Sequence, residues 1–422
     1  MDPRITRRTA ALLLLLLWFL TVGSGSFGLL RVGDALSATT TTLGTQQLST
    51  EVLPPVADAT QTATTAPPPT IRGAAAILIN MDDGRVLFEN NADAQRSIAS
   101  TTKIMTGILA LETIPLDRVI KASQKATDAG ESEIWLEPGE ELAAGELLYA
   151  LMVRSANDAA VALAESSAGS LEAFVEAMNA KAVELGLTNT HFANPHGLEG
   201  KEHYSSARDL ATLARYAMQN EEFRKLVATE KARIPWPGRE YDRVLENRNS
   251  LIGSVPFVTG IKTGYTGKAG FCLVGSGARD GVSLVSVILG EENKDAVNAD
   301  SVALLEYGFS LYRQVNLMEK DVPVAELDIP YHFGEKLTLS TDRELVRTVF
   351  AADPITKTVT AQQQLTLPVE EGQTLGKVTF EVSGAVAGEV NLVATRSIEA
   401  PTLRVKLTYL WDRMMNWLGR AT

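Results

Sequence analysis

Ser100 and Lys103 stand three residues apart in IASTTKIMTGILAL, where an apolar helical pattern begins. On a helix, residues at that spacing share one face with Cβ atoms about 5 to 6 Å apart, close enough for an amine to take a hydroxyl proton. A serine hydroxyl is a weak nucleophile and needs such a base. An ordinary lysine, with a pKa of about 10.4, is protonated at neutral pH and cannot serve. Burial, the positive end of the helix dipole and a second cation would each disfavour its charged form. A shift of roughly three units asks for about 4 kcal/mol of differential interaction. That demand makes sense of a lysine on a face otherwise meant for the interior.

A lone Ser-x-x-Lys pair arises by chance in a chain of this length, usually as a capping serine and a surface lysine. Its companions decide the matter. Ser155 and Asn157 form a Ser-x-Asn in LMVRSANDAAVALAE, at the junction of two helical patterns. Lys262, Thr263 and Gly264 follow in FVTGIKTGYTGKAGFCLVGSG, at the head of a strand. In this order the three form the set that marks penicillin-binding proteins and serine β-lactamases. Each has a physical task. Lys262 supplies the second cation that keeps Lys103 neutral and draws in an anionic substrate. Gly264 on an edge strand lets a substrate backbone come close enough to pair. Ser155 relays a proton to a leaving amine, and Asn157 donates to a substrate amide or fixes Lys103. The tetrahedral oxyanion needs two donors, for which backbone N–H groups are the natural source.

These residues require a scaffold. AAAILINMDDGRVLFENNAD, over 74–93, reads as two strands joined at an Asp-Gly turn. Helical patterns follow over 101–112, 143–152, 158–168 and 171–185; strands return at 271–274 and 282–289 before a helix over 296–312. Strands, then helices, then strands predict an α+β catalytic domain over 71–318, an antiparallel sheet with helices packed on it. After about Glu319, KLTLS, KTVTAQQQLTLPV, GKVTFEVSG and GEVNLVATRSI alternate apolar and polar residues, predicting a small β-rich domain over 319–400.

The two ends differ from the middle. Arg4, Arg7 and Arg8 precede an uncharged run containing ALLLLLLWFLTV, so 1–38 reads as a secretory signal with cleavage near Ala38 or as an uncleaved anchor; either way the chain is expected to be exported. Residues 39–70, rich in Thr, Ala and Pro, predict a disordered spacer. Over 401–422, Leu403, Leu407, Leu410, Trp411, Met414, Trp417 and Leu418 fall on one helical face with basic residues beside them. Such a helix is expected to lie on a membrane surface, with packing as a last helix on its own domain as the alternative.

A net charge of −12 with no basic stripe argues against nucleic acid. One cysteine, Cys272, excludes an internal disulfide and a thiolate-rich zinc site. His191, His196 and His203 lack metal-ligand spacing and read as loop-shaping around Asn194-Pro195; no metal or cofactor is expected. Asp158 and Glu165 read as solvated helix charges, and Trp135 as either groove lining or core.

From about Ile71 to Ile398 the chain resembles the D-alanyl-D-alanine carboxypeptidases among the low-molecular-mass penicillin-binding proteins. The likeness extends beyond the three motifs to NADAQRSIASTTKIMT, HFANPHGLEGKEHYSSARDLA and LPVEEGQTLGKVTFEVSG. It implies release of the terminal D-alanine from peptidoglycan pentapeptide stems through a seryl acyl-enzyme, with β-lactams as inhibitors. It further implies backbone oxyanion donors at Ser100 and Tyr265, substrate contacts at Lys262, Thr263 and Gly264, and a ligand-facing arginine at Arg248. Ala156 and Thr259 depart from the family's usual Gly and Asp. Two alternatives stand beside this reading. A serine β-lactamase would share the motifs but needs a deacylating base for which no matching segment is seen, and a non-catalytic wall-binding module would tolerate loss of Ser100.

Overall fold

The computed structural model describes residues 44–53 and 67–419; the leader or anchor expected over 1–38, and the rest of the spacer, lie outside the described residues. In chain order the elements begin with β1 (Thr45–Leu53), β2 (Ala75–Asn80), β3 (Val86–Asn90), α1 (Lys103–Thr113), β4 (Val119–Lys121), α2 (Gln124–Thr127) and β5 (Glu141–Ala143). Then come α3 (Ala144–Tyr149), α4 (Asn157–Ala168), α5 (Leu171–Glu184), α6 (Ala207–Ala217), α7 (Glu221–Ala228), β6 (Lys231–Ile234) and β7 (Arg243–Glu246). The catalytic region closes with β8 (Val258–Thr266), β9 (Gly270–Arg279), β10 (Val282–Glu291) and α8 (Lys294–Ser310). Beyond it lie β11 (Tyr312–Met318), β12 (Pro323–Asp328), β13 (Lys336–Thr341), β14 (Leu345–Phe350), β15 (Ile355–Gln362), β16 (Thr374–Val382), β17 (Ala385–Ala394) and α9 (Leu403–Gly419).

The run AAILIN is apolar at every position because both faces of its sheet are covered. Its strand β2 sits inside the antiparallel order β3-β2-β10-β9-β8. Ala75, Ile77 and Ile79, with Val285, Val287 and Leu289 of β10, face the core shared with α1, α4 and α6. Ala76, Leu78, Leu284 and Ile288 point the other way, onto Val297, Leu304 and Leu305 of α8. Burying each such side chain contributes about 1.5 to 3 kcal/mol. Polar caps start the helices: Ser170, Ser206, Asn220 and Asn293 accept the N–H of Ala173, Asp209, Phe223 and Ala296 at α5, α6, α7 and α8.

The β-rich region starts at Tyr312, seven residues before the change of texture at Glu319. Strand β11 is only partly buried and pairs with β14 alone, so its alternation is weak in the sequence. A second sheet has the order β1-β15-β16-β17-β13-β12 over a core of Leu337, Leu339, Val359, Val378, Phe380, Val390 and Leu392. The two regions meet through Arg85, whose guanidinium donates to both Asp353 carboxylate oxygens at 2.9 and 3.0 Å and lies 4.5 Å from the Phe350 ring centre. Asn80 Nδ2 donates to Tyr312 OH at 2.7 Å beside it.

The expected spacer departs from disorder over Thr45–Leu53. This segment is strand β1, paired antiparallel with β15 from Thr45 opposite Gln362 to Leu53 opposite Ile355. Its side chains are almost all exposed, so its composition resembles a linker; main-chain pairing to a free sheet edge is what orders it. Helix α9 rests on the β-rich region through Tyr409, whose ring lies 4.8 Å from Phe333 and 5.5 Å from Tyr331. Leu403, Leu407, Leu410, Trp411 and Met415 are exposed on it, while Met414 is half-buried. The side chains of Trp417 and Leu418 lie outside the described residues. No helix among the described residues is long and apolar enough to cross a membrane.

Candidate active site

Ser100 lies in a single 3₁₀ turn, Ala99–Thr102, that feeds directly into α1. Two threonine hydroxyls tie that turn to itself, Thr101 donating to Ile98 O at 2.7 Å and Thr102 to Ala99 O at 2.8 Å. His203 fastens it from outside. Its Nδ1 accepts the Ala193 N–H at 2.9 Å, which leaves the ring proton on Nε2, 2.8 Å from Thr102 Oγ1. Burial pushes the His203 imidazole down to about 4, so it holds the turn as a neutral ring. The histidine loop therefore supports the nucleophile turn, and among the described residues no group of acidic, histidine or cysteine side chains is placed to hold a metal.

Lys103 is fully buried. Its Nζ lies 2.9 Å from Ser100 Oγ, 2.7 Å from Asn157 Oδ1 and 2.7 Å from the His196 carbonyl. Three acceptors at these distances match the three donors of the ammonium form; once neutral, the amine keeps N–H groups for Asn157 and His196 and turns its lone pair to the Ser100 hydroxyl. Burial is the main cause that holds Lys103 well below the ordinary lysine range, and the charge of Lys262 lowers it further against a smaller opposing pull from Asp158. Lys262 is itself buried in the middle of β8, not at the head of the strand as expected, because the strand already begins at Val258; burial pushes it down to about 7. Its Nζ donates to Ser155 Oγ at 2.9 Å and to the Thr263 carbonyl at 3.1 Å. The two lysines thus bracket the two serines, and burial disfavours the charged form of both.

Ser155 is delivered by a widened, π-type turn over Ala150–Arg154 and sits in the left-handed region at φ 68°. Such turns recur at functional sites because they re-aim one side chain out of a helix. Asn157 opens α4, with Nδ2 donating to Gly130 O at 2.8 Å and N–H to Ser132 O at 2.6 Å. The carboxylate of Asp158 next to it is buried, not solvated as its helical position suggests. It accepts from Ile134 N and Leu136 N, both at 3.1 Å, and so staples the 130–136 loop against the Ser-x-Asn turn. Nothing in the local sequence distinguishes it from a surface helix charge. Glu165 is half-buried and takes the Ser123 hydroxyl at 2.6 Å.

Gly264 has a reason that the sequence does not disclose. A Cβ there would lie 2.9 Å from Ser100 N, 3.0 Å from Ile98 O and 3.1 Å from Ala99 Cβ. The space required is for the nucleophile turn itself, which β8 must touch. Thr263 is half-buried beside it, and Tyr265 is exposed with its ring 4.4 Å from Phe271. The Arg248 side chain is exposed, and its N–H donates to Val153 O at 3.1 Å, two residues before Ser155. Ala156 is buried, and Thr259 Oγ1 pairs with Ser276 Oγ at 2.8 Å.

The arrangement offers a hydroxyl with a buried, pKa-lowered amine against it, a second hydroxyl held by another buried lysine, and a strand edge along one side. Comparison with known proteins agrees in extent and kind. Residues 61–293 match the D-alanyl-D-alanine carboxypeptidase family, and residues 312–400 match the C-terminal domain of penicillin-binding protein 5. The D-alanyl-D-alanine carboxypeptidase DacF of Bacillus subtilis is 33% identical over 350 residues, 81% of this chain and 89% of that protein. Penicillin-binding protein 5 of Haemophilus influenzae is similar in structure with a TM-score of 0.56 at 27% identity, covering 79% of this chain and 99% of that one. The DD-transpeptidase of a Streptomyces strain gives 0.55 at 32% identity, covering 58% and 99%. The chain belongs to the D-alanyl-D-alanine carboxypeptidase family of penicillin-binding proteins.

Proposed function

We propose that this protein is a serine-type D-alanyl-D-alanine carboxypeptidase that removes the terminal D-alanine from peptidoglycan pentapeptide stems and is acylated by penicillins. The observation that carries it is the buried Lys103 amine within 2.9 Å of the Ser100 hydroxyl. Ser100 Oγ attacks the carbonyl of the penultimate D-alanine while its proton passes to Lys103 Nζ. The N–H groups of Ser100 and Tyr265 receive the oxyanion, and Asn157 holds Lys103 in place. Ser155, held by Lys262, hands its hydroxyl proton to the leaving amine and is reprotonated with the proton that Lys103 took from Ser100, so the C–N bond breaks, D-alanine departs and Lys103 is neutral again. Water then attacks the ester with Lys103 again as base, which restores Ser100. Lys262, Thr263 and Arg248 meet the substrate's terminal carboxylate, and Gly264 keeps β8 against the nucleophile.

The chain acts outside the cytoplasm, where its substrate is. Helix α9 lies on the membrane surface with Leu403, Leu407, Leu410 and Trp411 inward, a mode of attachment that needs no spanning helix. Mass spectrometry after incubation with penicillin tests the reading: a penicilloyl adduct on Ser100, absent in Ser100→Ala along with D-alanine release, supports it. An adduct hydrolysed within milliseconds would point to a β-lactamase, and D-alanine release retained by Ser100→Ala would overturn the mechanism.

A further inference from the structure

Trp135 is 61% exposed, yet the protein commits buried charge to holding it still. Its backbone is in the left-handed region at φ 58°, which a bulky residue adopts only when its surroundings impose it. The N–H groups on either side, at Ile134 and Leu136, are taken by buried Asp158. Arg243 Nε donates to Ile134 O at 2.8 Å and its NH2 to Trp135 O at 3.2 Å. That guanidinium is in turn locked to Glu140 at 2.6 and 2.9 Å, with both side chains below 5% exposure. Core packing does not explain the arrangement, because the ring it positions faces solvent.

The ring does not stand alone. Arg243 Cζ lies 4.6 Å from the centre of Trp236, and Trp236 meets the exposed Tyr241 at 5.8 Å, both on the β6–β7 hairpin loop. At the other end Arg154, the residue before Ser155, places its guanidinium 6.0 Å from the Trp135 ring. An aromatic strip with guanidinium groups beside it thus runs from the Ser-x-Asn turn outward over the surface.

We propose that Trp135, with Trp236 and Tyr241 beyond it, is a platform for the sugar rings of peptidoglycan, to which the stem peptide is attached. Pyranose rings present flat C–H faces that settle on the electron-rich face of an indole, and their rim hydroxyl and acetamido oxygens suit the guanidinium of Arg154 beside Trp135. The reach agrees. Trp135 is three residues from Ser132, whose carbonyl holds Asn157 N–H, or about 10 Å of chain. The four residues between scissile bond and glycan span about 13 Å when extended. The inference rests on the carboxypeptidase reading above and adds a preference for glycan-borne stems over free peptide.

The test compares kcat/KM on one pentapeptide, free and carried on a soluble N-acetylated glycan tetrasaccharide. Trp135→Ala and, separately, Trp236→Ala are expected to lower the ratio of glycan-borne to free activity about three- to ten-fold. Titration of the full wild-type chain with an N-acetylglucosamine oligomer is expected to shift its tryptophan emission, which keeps the test open if a variant fails to fold. An unchanged ratio in folded variants, an equal loss on both substrates, or no emission shift would overturn the platform. Penicillin labelling of Ser100, read in the same samples, reports separately on the carboxypeptidase reading. Binding to anionic lipid vesicles that is lost in Trp135→Ala would assign the strip to the membrane and overturn the sugar proposal.

Discussion

Gly264→Ala is the sharpest single perturbation of the site, because the structure states what the added methyl meets. Its Cβ would lie 2.9 Å from Ser100 N and 3.0 Å from Ile98 O, against about 3.4 Å for an ordinary contact. Both atoms are backbone, so neither can swing aside, and either β8 or the nucleophile turn must move by about 0.5 Å, the difference between those separations. Forcing a methyl into a packed interior costs about 1 to 3 kcal/mol. At about 2 to 4 °C per kcal/mol for a domain of this size, the catalytic domain should melt roughly 2 to 12 °C lower. Misplacement by 1 Å costs about a hundred-fold in rate, so half that shift at Ser100, with its N–H crowded, should slow acylation about ten- to a hundred-fold. Gly267, in the β8–β9 turn three residues before β9 begins and with nothing within 4 Å of its would-be Cβ, supplies the control. Gly267→Ala should lie within about 0.5 kcal/mol of wild type. Stopped-flow acylation with a fluorescent penicillin and thermal melting of both variants give the answer. If Gly264→Ala acylates as fast as Gly267→Ala, the close approach of β8 to Ser100 is refuted.

Lys262→Met should move the acid limb of the acylation pH profile to higher pH. Lys103 is held down first by burial and then by the Lys262 charge, so losing that charge raises its pKa, and the base form exists only above it. Lys262→Arg keeps the charge and should shift the limb less; an unmoved limb in Lys262→Met would contradict the coupling. Since burial places Lys262 at about 7, its cationic form declines as pH rises through that value, and KM for an anionic stem peptide should rise there. A KM flat from pH 6 to 9 would count against that role. Cys272, buried with its thiol pushed up to about 11, should resist aromatic disulfide reagents until the chain unfolds, so labelling should track denaturant concentration. Deleting residues 45–53 uncovers the β15 edge; hydrogen exchange over Ile355–Gln362 should accelerate, and unchanged exchange would mean that β1 adds no protection.

Much of the scaffold was legible because it follows local rules. AAILIN reads as an apolar strand leading into an Asp-Gly turn, and the alternating runs after Glu319 read as sheet, as the structure has them. The helices over 157–168 and 171–184 begin and end within a residue or two of their periodic patterns. Where the reading missed, the missing information lay far away in the chain. Strand β1 is ordered by a partner more than three hundred residues later, and its own composition reads as a linker. Asp158 has the spacing of a solvated helix charge, and only the return of the 130–136 loop makes it a buried staple.

The same division holds in the site. Residue type and order by themselves picked out a serine, two lysines, a second serine and an asparagine as the chemical groups of the proposed mechanism, since those are properties of the side chains. Whether Lys103 sheds its proton was decided by tertiary structure alone. Desolvation and the field of Lys262 depend on what 158 intervening residues bring to within contact, and neither is encoded within a turn of Ser100. Gly264 makes the point in its smallest form: the letter marks a position that tolerates no methyl, and only the packed chain shows that the neighbour it spares is the nucleophile's own backbone.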